Sequence, residues 1–388
     1  MVYRDEDSNR LDLIDALRGV AVLAVILSHA DQAVPAAAKA VNEVSIQGAR
    51  GVQFFFVISA LTLLMSWHRR NDARAPQRFL LRRLFRIAPM FYLATIVYAT
   101  IDGTSPRHFA PQGVGVVDYA ASTLFINGWF PNAIASVVPG GWSIAVESNF
   151  YLLFPILAAR IHGIRGALIA VLASAIVGEA VSALLLQSAA GSDPGSSRQI
   201  SDFVFWWPPR QFPAFFVGFV VYEALYGDTR RRLDAWLSAE RRLLAGRVLC
   251  IASVAVMTGL ALIRLPVSYL LYAICFGIFV IGQSLAPWRL LINPVIRHIG
   301  KVSYSAYFWQ FAVIDLARYW IDPPFLRQPL RLAWFYLAVV AVTTLLSTLT
   351  HELIERPGIE IGRRVTSSPP KFWRASAPRP CEDDASAD

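Results

Sequence analysis

Residues 13–30 read Leu-Ile-Asp-Ala-Leu-Arg-Gly-Val-Ala-Val-Leu-Ala-Val-Ile-Leu-Ser-His-Ala, an apolar run that nevertheless holds Asp15, Arg18 and His29. The run is close to the roughly 20 residues that cross the hydrocarbon core of a bilayer as a helix. Ionisable side chains inside such a helix are costly and mark function by default. Arg18 and His29 are eleven residues apart, about 1100° of helical rotation, so they share a face with a rise of ~16 Å between them. Asp15 lies one turn before Arg18, where the two can pair. The same spacing also allows a plainer reading, with Arg18 as a cytoplasmic anchor and His29 as an interfacial residue.

Nine further apolar runs follow, near 51–67, 84–101, 145–162, 164–188, 209–226, 245–263, 267–285, 300–320 and 331–353. The whole chain of 388 residues is 55% hydrophobic and 16% charged, against about 25% charged in soluble domains. That balance excludes an ordinary water-soluble enzyme. Val114–Ile126 is short and contains Asp118, which fits an interfacial or re-entrant piece of a long loop rather than a span.

The net charge of +9 is a topology signal and not a nucleic-acid footprint, because the basic residues cluster between the runs. With the N-terminus in the cytoplasm, 27 of the 36 Lys and Arg fall in cytoplasmic segments and 9 in outside loops and helix ends, as the positive-inside rule requires. Counting Val114–Ile126 as an eleventh span would move the cluster from Arg230 to Arg247 outside. The expected fold is therefore all-α, a polytopic membrane protein of about ten transmembrane helices with both termini cytoplasmic. Residues 1–365 form the transmembrane domain, and 366–388, rich in Pro, Ser, Ala and Asp, form a disordered cytoplasmic tail.

Residues 1–18 carry three Arg against five Asp and Glu, unlike the positive start of a cleaved signal, so the first run is expected to be retained. Cys250, Cys275 and Cys381 cannot build a disulfide framework, and their spacing is not that of a zinc site. No metal is expected.

Two further stretches carry chemistry. Arg78-Phe-Leu-Leu-Arg-Arg-Leu-Phe-Arg-Ile-Ala-Pro-Met-Phe-Tyr92 sets Arg83 and Arg86 three apart on one helical face, where two guanidiniums can grip the phosphates of a donor or simply anchor the helix. Trp142-Ser-Ile-Ala-Val-Glu-Ser-Asn-Phe-Tyr151 puts Glu147 near the outer start of the fourth run. A carboxylate there can complement the helix dipole or meet His29. Glu179, Glu223, Asp315 and His351 read as lining or helix-end groups, and Trp206-Trp207-Pro208-Pro209 as an interfacial belt and helix start.

These stretches together resemble membrane acyltransferase family 3. Asp15, Arg18, Gly19, Ala21 and His29 are similar to its Arg-x10-His element, and Gly51–Ala60, reading GVQFFFVISA, to its Phe-Phe-x-Ile-Ser-Gly helix with Ala60 in place of the glycine. Arg83-x-x-Arg86 with Pro89 resembles its Arg-x-x-Arg element, and Trp142–Tyr151 its Trp-Ser-Leu-x-x-Glu-x-x-Phe-Tyr element. Gly300–Gln310 and Ile354-Glu-Arg-Pro357 resemble its last two helices. Gln310 stands where the family commonly has His, and a glutamine still donates and accepts hydrogen bonds.

The resemblance implies an O-acyltransferase of the inner membrane that moves an acyl group, acetyl foremost, from cytoplasmic acyl-coenzyme A to a hydroxyl of a surface carbohydrate or related acceptor. Acyl-coenzyme A is then a co-substrate, and no bound cofactor is expected. In that scheme His29 is the base and Glu147 orients it. Arg18, Arg83 and Arg86 hold the donor, and Asp15, Trp142, Ser143, Tyr151 and Gln310 support them. A transporter or flippase of a lipid-linked sugar is the alternative, although no inverted repeat is visible. A scaffold without chemistry is a third class.

Overall fold

The computed structural model describes residues 2–69, 75–190, 194–230, 238–263, 268–320, 326–327 and 330–367. Among the described residues there is no β-strand, only one isolated bridge between Arg107 and Ala110. Among the described residues fifteen α-helices run in order: α1 Val2–Ala33, α2 Lys39–Ile46, α3 Gly51–His68, α4 Ala75–Asp102, α5 Val116–Thr123, α6 Gly141–Arg160, α7 Gly163–Ser188, α8 Pro194–Trp206, α9 Pro208–Tyr226, α10 Ala239–Ile263, α11 Ser268–Leu285, α12 Pro294–Lys301, α13 Ser303–Trp320, α14 Leu330–Thr350 and α15 Arg356–Ser367. Nine of the ten apolar runs each lie mainly on one of them. The run at 300–320 starts on α12 and continues into α13, with Val302 between the two.

Among the described residues six segments are long and apolar enough to cross a membrane: Lys39–His68, Ala75–Asp102, Gly141–Arg160, Gly163–Ser188, Ala239–Ile263 and Leu330–Ser367, while Tyr269–Leu285 is a shorter apolar helix. The protein is thus a multi-pass membrane protein. Burial separates the helices into two kinds. On α1, Ala16, Leu17, Ala21, Val22, Val25, Ile26 and Ala30 are all buried, so this helix runs through the interior and can carry polar residues without meeting lipid. On α7 and α10, Leu168, Ile169, Leu172, Leu244, Val248 and Ile251 stand exposed, which suits a surface solvated by hydrocarbon. Stacked aromatics fill the centre: the Phe150 and Phe215 rings lie 4.0 Å apart and those of Phe79 and Phe154 4.9 Å apart.

Two features position the site. The C-terminal helix α15 packs on α4, and Gly358 and Gly362 make this possible. A Cβ at Gly358 would come 2.7 Å from the Phe85 carbonyl, and one at Gly362 2.7 Å from the Phe85 Cβ. Such small-residue spacing lets two membrane helices approach closely, and it fixes the turn of α4 that carries Arg83 and Arg86. The second feature is the segment between α4 and α6. It folds back on those helices, with Tyr92 OH donating to the Thr123 carbonyl at 3.1 Å and the Phe91 and Phe125 rings 5.1 Å apart. Within it α5 has only eight residues, too few to span.

Helix α15 includes Thr366 and Ser367, the first two residues of the expected tail, and the Thr366 hydroxyl donates to the Gly362 carbonyl at 2.9 Å. Residues 368–388 lie outside the described residues. Trp207 and Pro208 are a helix start as read, with Trp207 preceding α9 and Pro208 in its first turn, where a missing N–H costs nothing.

Candidate functional site

A cavity lies between α1, α3, α4, α6 and α13, and each helix contributes polar groups at helical spacing. Arg18 enters from α1 and Ser59 from α3, Arg83 and Arg86 from α4, Ser143, Glu147 and Tyr151 from α6, and Tyr304 and Tyr307 from α13. Ser143, Glu147 and Tyr151 are four residues apart, so α6 turns one polar stripe inward while its opposite face, including Leu152 and Ile156, is exposed. The cavity has a volume of about 80 Å³.

Glu147 is its carboxylate. Oε1 accepts hydrogen bonds from Ser59 Oγ at 2.7 Å and from Tyr151 OH at 2.5 Å. The Arg83 guanidinium covers the Tyr151 ring at 5.5 Å and the Phe79 ring at 5.4 Å, within cation–π range. Arg18 has Arg86, Glu355, Asp15 and Glu147 as charged neighbours. Asp15 is therefore an electrostatic neighbour of Arg18, shared with Lys301 and Arg86, and among the described residues no direct ion pair joins the two. At the far end Ser143 Oγ lies 3.0 Å from Tyr307 OH, and both hydroxyls reach the Gly140 carbonyl, at 3.0 and 3.1 Å. Gly140 has φ +76° and the Tyr307 ring directly against it, 2.8 Å from where a Cβ would stand. Only glycine fits that turn.

Trp142 packs beside the cavity rather than lining it, its ring stacked on Trp206 at 5.7 Å. His29 also lies outside the lining residues. Its ring is 4.6 Å from that of Phe311, and Gln310 is the polar side chain that acts on the imidazole. Gln310 is buried and donates from Nε2 to the Tyr307 carbonyl at 3.1 Å. Nδ1 of His29 and Oε1 of Gln310 are buried without a partner in hydrogen-bond geometry among the described residues. The pairing expected between His29 and Glu147 is not made here. Glu147 is held by Ser59 and Tyr151, and the polar side chain beside the imidazole is Gln310, whose Nε2 donates to the carbonyl of Tyr307, a residue of the cavity wall.

Sequence reading left several groups without a role. Ser59, Tyr304 and Tyr307 all sit in quoted motifs, yet one hydroxyl among aromatics carries no signal of its partner. Glu355 is more telling. It is 2% exposed, pairs through Oε2 with His351 Nδ1 at 3.1 Å and accepts from Ser305 Oγ at 3.1 Å. The turn His351–Glu355 is a π-helix, a local widening frequent at functional sites, and it is unreadable from composition.

Two carboxylates outside the cavity have basic partners. Glu179 is bound by Arg210 Nε and Nη2, at 3.1 and 3.3 Å, and by Tyr269 OH at 2.6 Å. Asp315 faces Arg318 at 3.8 Å on an exposed surface. Among the described residues no group of His, Cys, Asp and Glu is placed to hold a metal.

The chain can now be compared with known proteins. It spans 59% of a Staphylococcus aureus (strain MRSA252) protein named "Putative O-acetyltransferase SAR0937", at 24% identity over 94% of this chain. It spans 56% of the Bacillus subtilis (strain 168) protein named "Putative peptidoglycan O-acetyltransferase YrhL", at 25% identity over 92% of this chain. With the acyltransferase MdmB of Streptomyces mycarofaciens it shares 25% identity over 97% of both chains. The chain thus covers somewhat more than half the length of the first two relatives. No solved structure matches it. The family model described as an acyltransferase domain covers residues 11–352, from within the Arg18 helix to the turn that holds His351, and by that match the chain belongs to acyltransferase family 3.

Proposed function

We propose that this protein is an O-acyltransferase of the cytoplasmic membrane that moves an acyl group from cytoplasmic acyl-coenzyme A to a hydroxyl of a cell-surface or exported carbohydrate or related acceptor. The observation that carries the reading is the gathering of Arg18, Arg83, Arg86 and Glu147 in one cavity. Three guanidiniums against one carboxylate leave a surplus of positive charge, which suits the phosphates of a coenzyme A donor. The names of the relatives support acyl transfer to oxygen.

The chemistry needs a base for the hydroxyl, stabilisation for the tetrahedral oxyanion and an anchor for the donor. His29 is assigned as the base, with Gln310 holding the imidazole in one tautomer. The acceptor oxygen bonds to the acyl carbon as the imidazole takes its proton. The carbon–sulfur bond then breaks, and the leaving thiolate takes that proton to leave as coenzyme A. Arg18, Arg83 and Arg86 hold the phosphates, and the Tyr304 and Tyr307 hydroxyls, which donate to the Ile87 and Gly140 carbonyls in this structure, would turn from those carbonyls to the oxyanion as it forms. Glu147 keeps the arginine-lined wall in register through Ser59 and Tyr151. The ~16 Å rise from Arg18 to His29 is comparable to the reach of a pantetheine arm.

Ten transmembrane helices with both termini cytoplasmic complete the proposal. In a background without native cysteines, Ser105→Cys is expected to label from outside and His162→Cys only from the cytoplasm; the reverse pattern would overturn the topology. The activity is tested by NMR and mass analysis of surface polysaccharide, peptidoglycan and exported metabolites with and without the gene. Loss of an O-linked ester is expected on deletion, with recovery on complementation. An unchanged ester profile in all three fractions would overturn the reading.

A further inference from the structure

Tyr98 on α4 is buried, and among the described residues its hydroxyl bonds to the backbone of α13 alone. It donates to the Phe308 carbonyl at 2.6 Å and accepts from the Ala312 N–H at 3.1 Å. Those two groups stand four residues apart, the pair that a regular α-helix joins directly. The carbonyl one residue earlier also takes a side-chain donor, since Tyr307 O accepts from Gln310 Nε2 at 3.1 Å. Side chains that enter the ladder in this way bend a helix. The course of α13 over 307–312 is therefore set by side chains as well as by its own backbone.

That turn carries the groups next to His29. The Phe311 ring lies 4.6 Å from the imidazole, and Gln310 is the polar side chain that acts on it. Nδ1 of His29 and Oε1 of Gln310 are both buried without a partner in hydrogen-bond geometry among the described residues, so a small shift of the turn decides whether they meet. Trp309, on the same turn, donates from Nε1 to Thr350 Oγ1 at 3.1 Å. The turn is thus tied to α4 by Tyr98 and to α14 by Trp309. A phenylalanine would fill the place of Tyr98 without burying a hydroxyl, a group that costs free energy in an apolar interior unless it is hydrogen-bonded. Here both bonds are made, and what they hold is the turn that faces the proposed base.

Resting on the acyl-transfer reading above, we propose that Tyr98 is a positioning residue of the reaction: its hydroxyl, bonded to both ends of one rung of α13, sets the turn that presents Gln310 and Phe311 to His29. Without the hydroxyl, the Phe308 carbonyl and the Ala312 N–H pair with each other and the turn tightens. Gln310 then moves relative to the imidazole. A misplacement of about 1 Å can cost ~10²-fold in rate, so Tyr98→Phe is expected to lower kcat at least about tenfold. The donor KM should stay close to the wild-type value, because Tyr98 is not among the residues that line the arginine cavity.

The test uses the full chain in nanodiscs, with thiol release from acetyl-coenzyme A followed in the presence of acceptor extracted from the native envelope. Tyr98→Phe is compared with Tyr92→Phe, which removes another tyrosine-to-carbonyl bond from the same helix. The expected result is a lower kcat per folded molecule in Tyr98→Phe alone. Adding Tyr98→Phe to Gln310→Ala should cost little more, because the two act as one unit. In protein labelled with 15N-histidine, the His29 ring signals, assigned by their loss in His29→Ala, should shift in Tyr98→Phe and stay in place in Tyr92→Phe. A wild-type kcat in Tyr98→Phe, an equal loss in Tyr92→Phe, a loss that multiplies fully with that of Gln310→Ala, or His29 signals that do not move would each overturn the proposal. In those cases a wild type that still releases thiol, and a His29→Ala variant that does not, leave the acyltransferase reading standing. If the wild type transfers no acyl group, that reading falls and this proposal with it.

Discussion

Glu147 and Glu179 are two carboxylates inside the same apolar bundle, each accepting a short hydrogen bond from a tyrosine, at 2.5 Å from Tyr151 and 2.6 Å from Tyr269. They differ in the remaining partner. Glu179 is gripped on both oxygens by Arg210, a bidentate arrangement that cancels its charge and fixes its geometry. Glu147 has the Ser59 hydroxyl instead, and its charge is directed at arginines across a cavity. A bidentate ion pair is a structural joint, whereas a carboxylate steadied by hydroxyls beside open space keeps its charge available to a ligand. On that contrast the proposed function places chemistry at Glu147 and a purely architectural role at Glu179.

The largest expected effect falls on His29. His29→Ala should lower turnover by ~10² to 10⁴, the range of a general base, while acyl-coenzyme A still binds. Retention of more than about a tenth of turnover at saturating substrates would remove His29 from that role. Gln310→Ala should also lower turnover, and little more should be lost on adding it to His29→Ala, because residues acting as one unit are not additive. Glu147→Gln combined with His29→Ala should be closer to additive, since no hydrogen bond joins that pair. A fully non-additive result would restore the His29–Glu147 dyad that the motif pattern suggests.

Next come the donor arginines. Arg83→Ala or Arg86→Ala should weaken acyl-coenzyme A binding by ~1.5 to 3 kcal/mol, the worth of a hydrogen bond to a charged group, with the acceptor KM less affected. Unchanged donor affinity in both variants, with normal protein levels, would leave them as membrane anchors. The smallest effect on chemistry belongs to Glu179→Gln. Breaking its pair with Arg210 should cost ~1 to 3 kcal/mol of stability, read as a lower Tm, with turnover per folded molecule within about threefold of wild type. If Glu179→Gln abolished turnover at unchanged Tm, the contrast between the two carboxylates would be lost.

How far the sequence reveals this arrangement depends on the kind of feature. The long apolar helices are legible because apolar runs report burial in lipid or core directly. The cavity's arginines and Glu147 are legible because charge inside such a run is conspicuous. Partners across helices are not. Ser59 is 88 positions from Glu147 and Ser143 is 164 from Tyr307, and no local period links residues that meet only after the bundle packs. The α2 helix and the Gln47–Arg50 turn are also hidden, being short, mixed in polarity and set by packing on α1. Gln310 shows the reverse case. Its sequence marks it as a departure from the family pattern, whereas in space it is the side chain that serves His29.

The central claim is that this cavity performs acyl transfer from a thioester. The most direct measurement follows [1-13C]acetyl-coenzyme A with the purified protein in nanodiscs and acceptor extracted from the native envelope, recording thiol release and the 13C carbonyl signal together. The account predicts equal amounts of free coenzyme A and of labelled oxygen ester in the wild type, both abolished in His29→Ala and both preserved in Glu179→Gln. Thiol release that is the same in wild type and His29→Ala, or acceptor that never acquires the label, would contradict it.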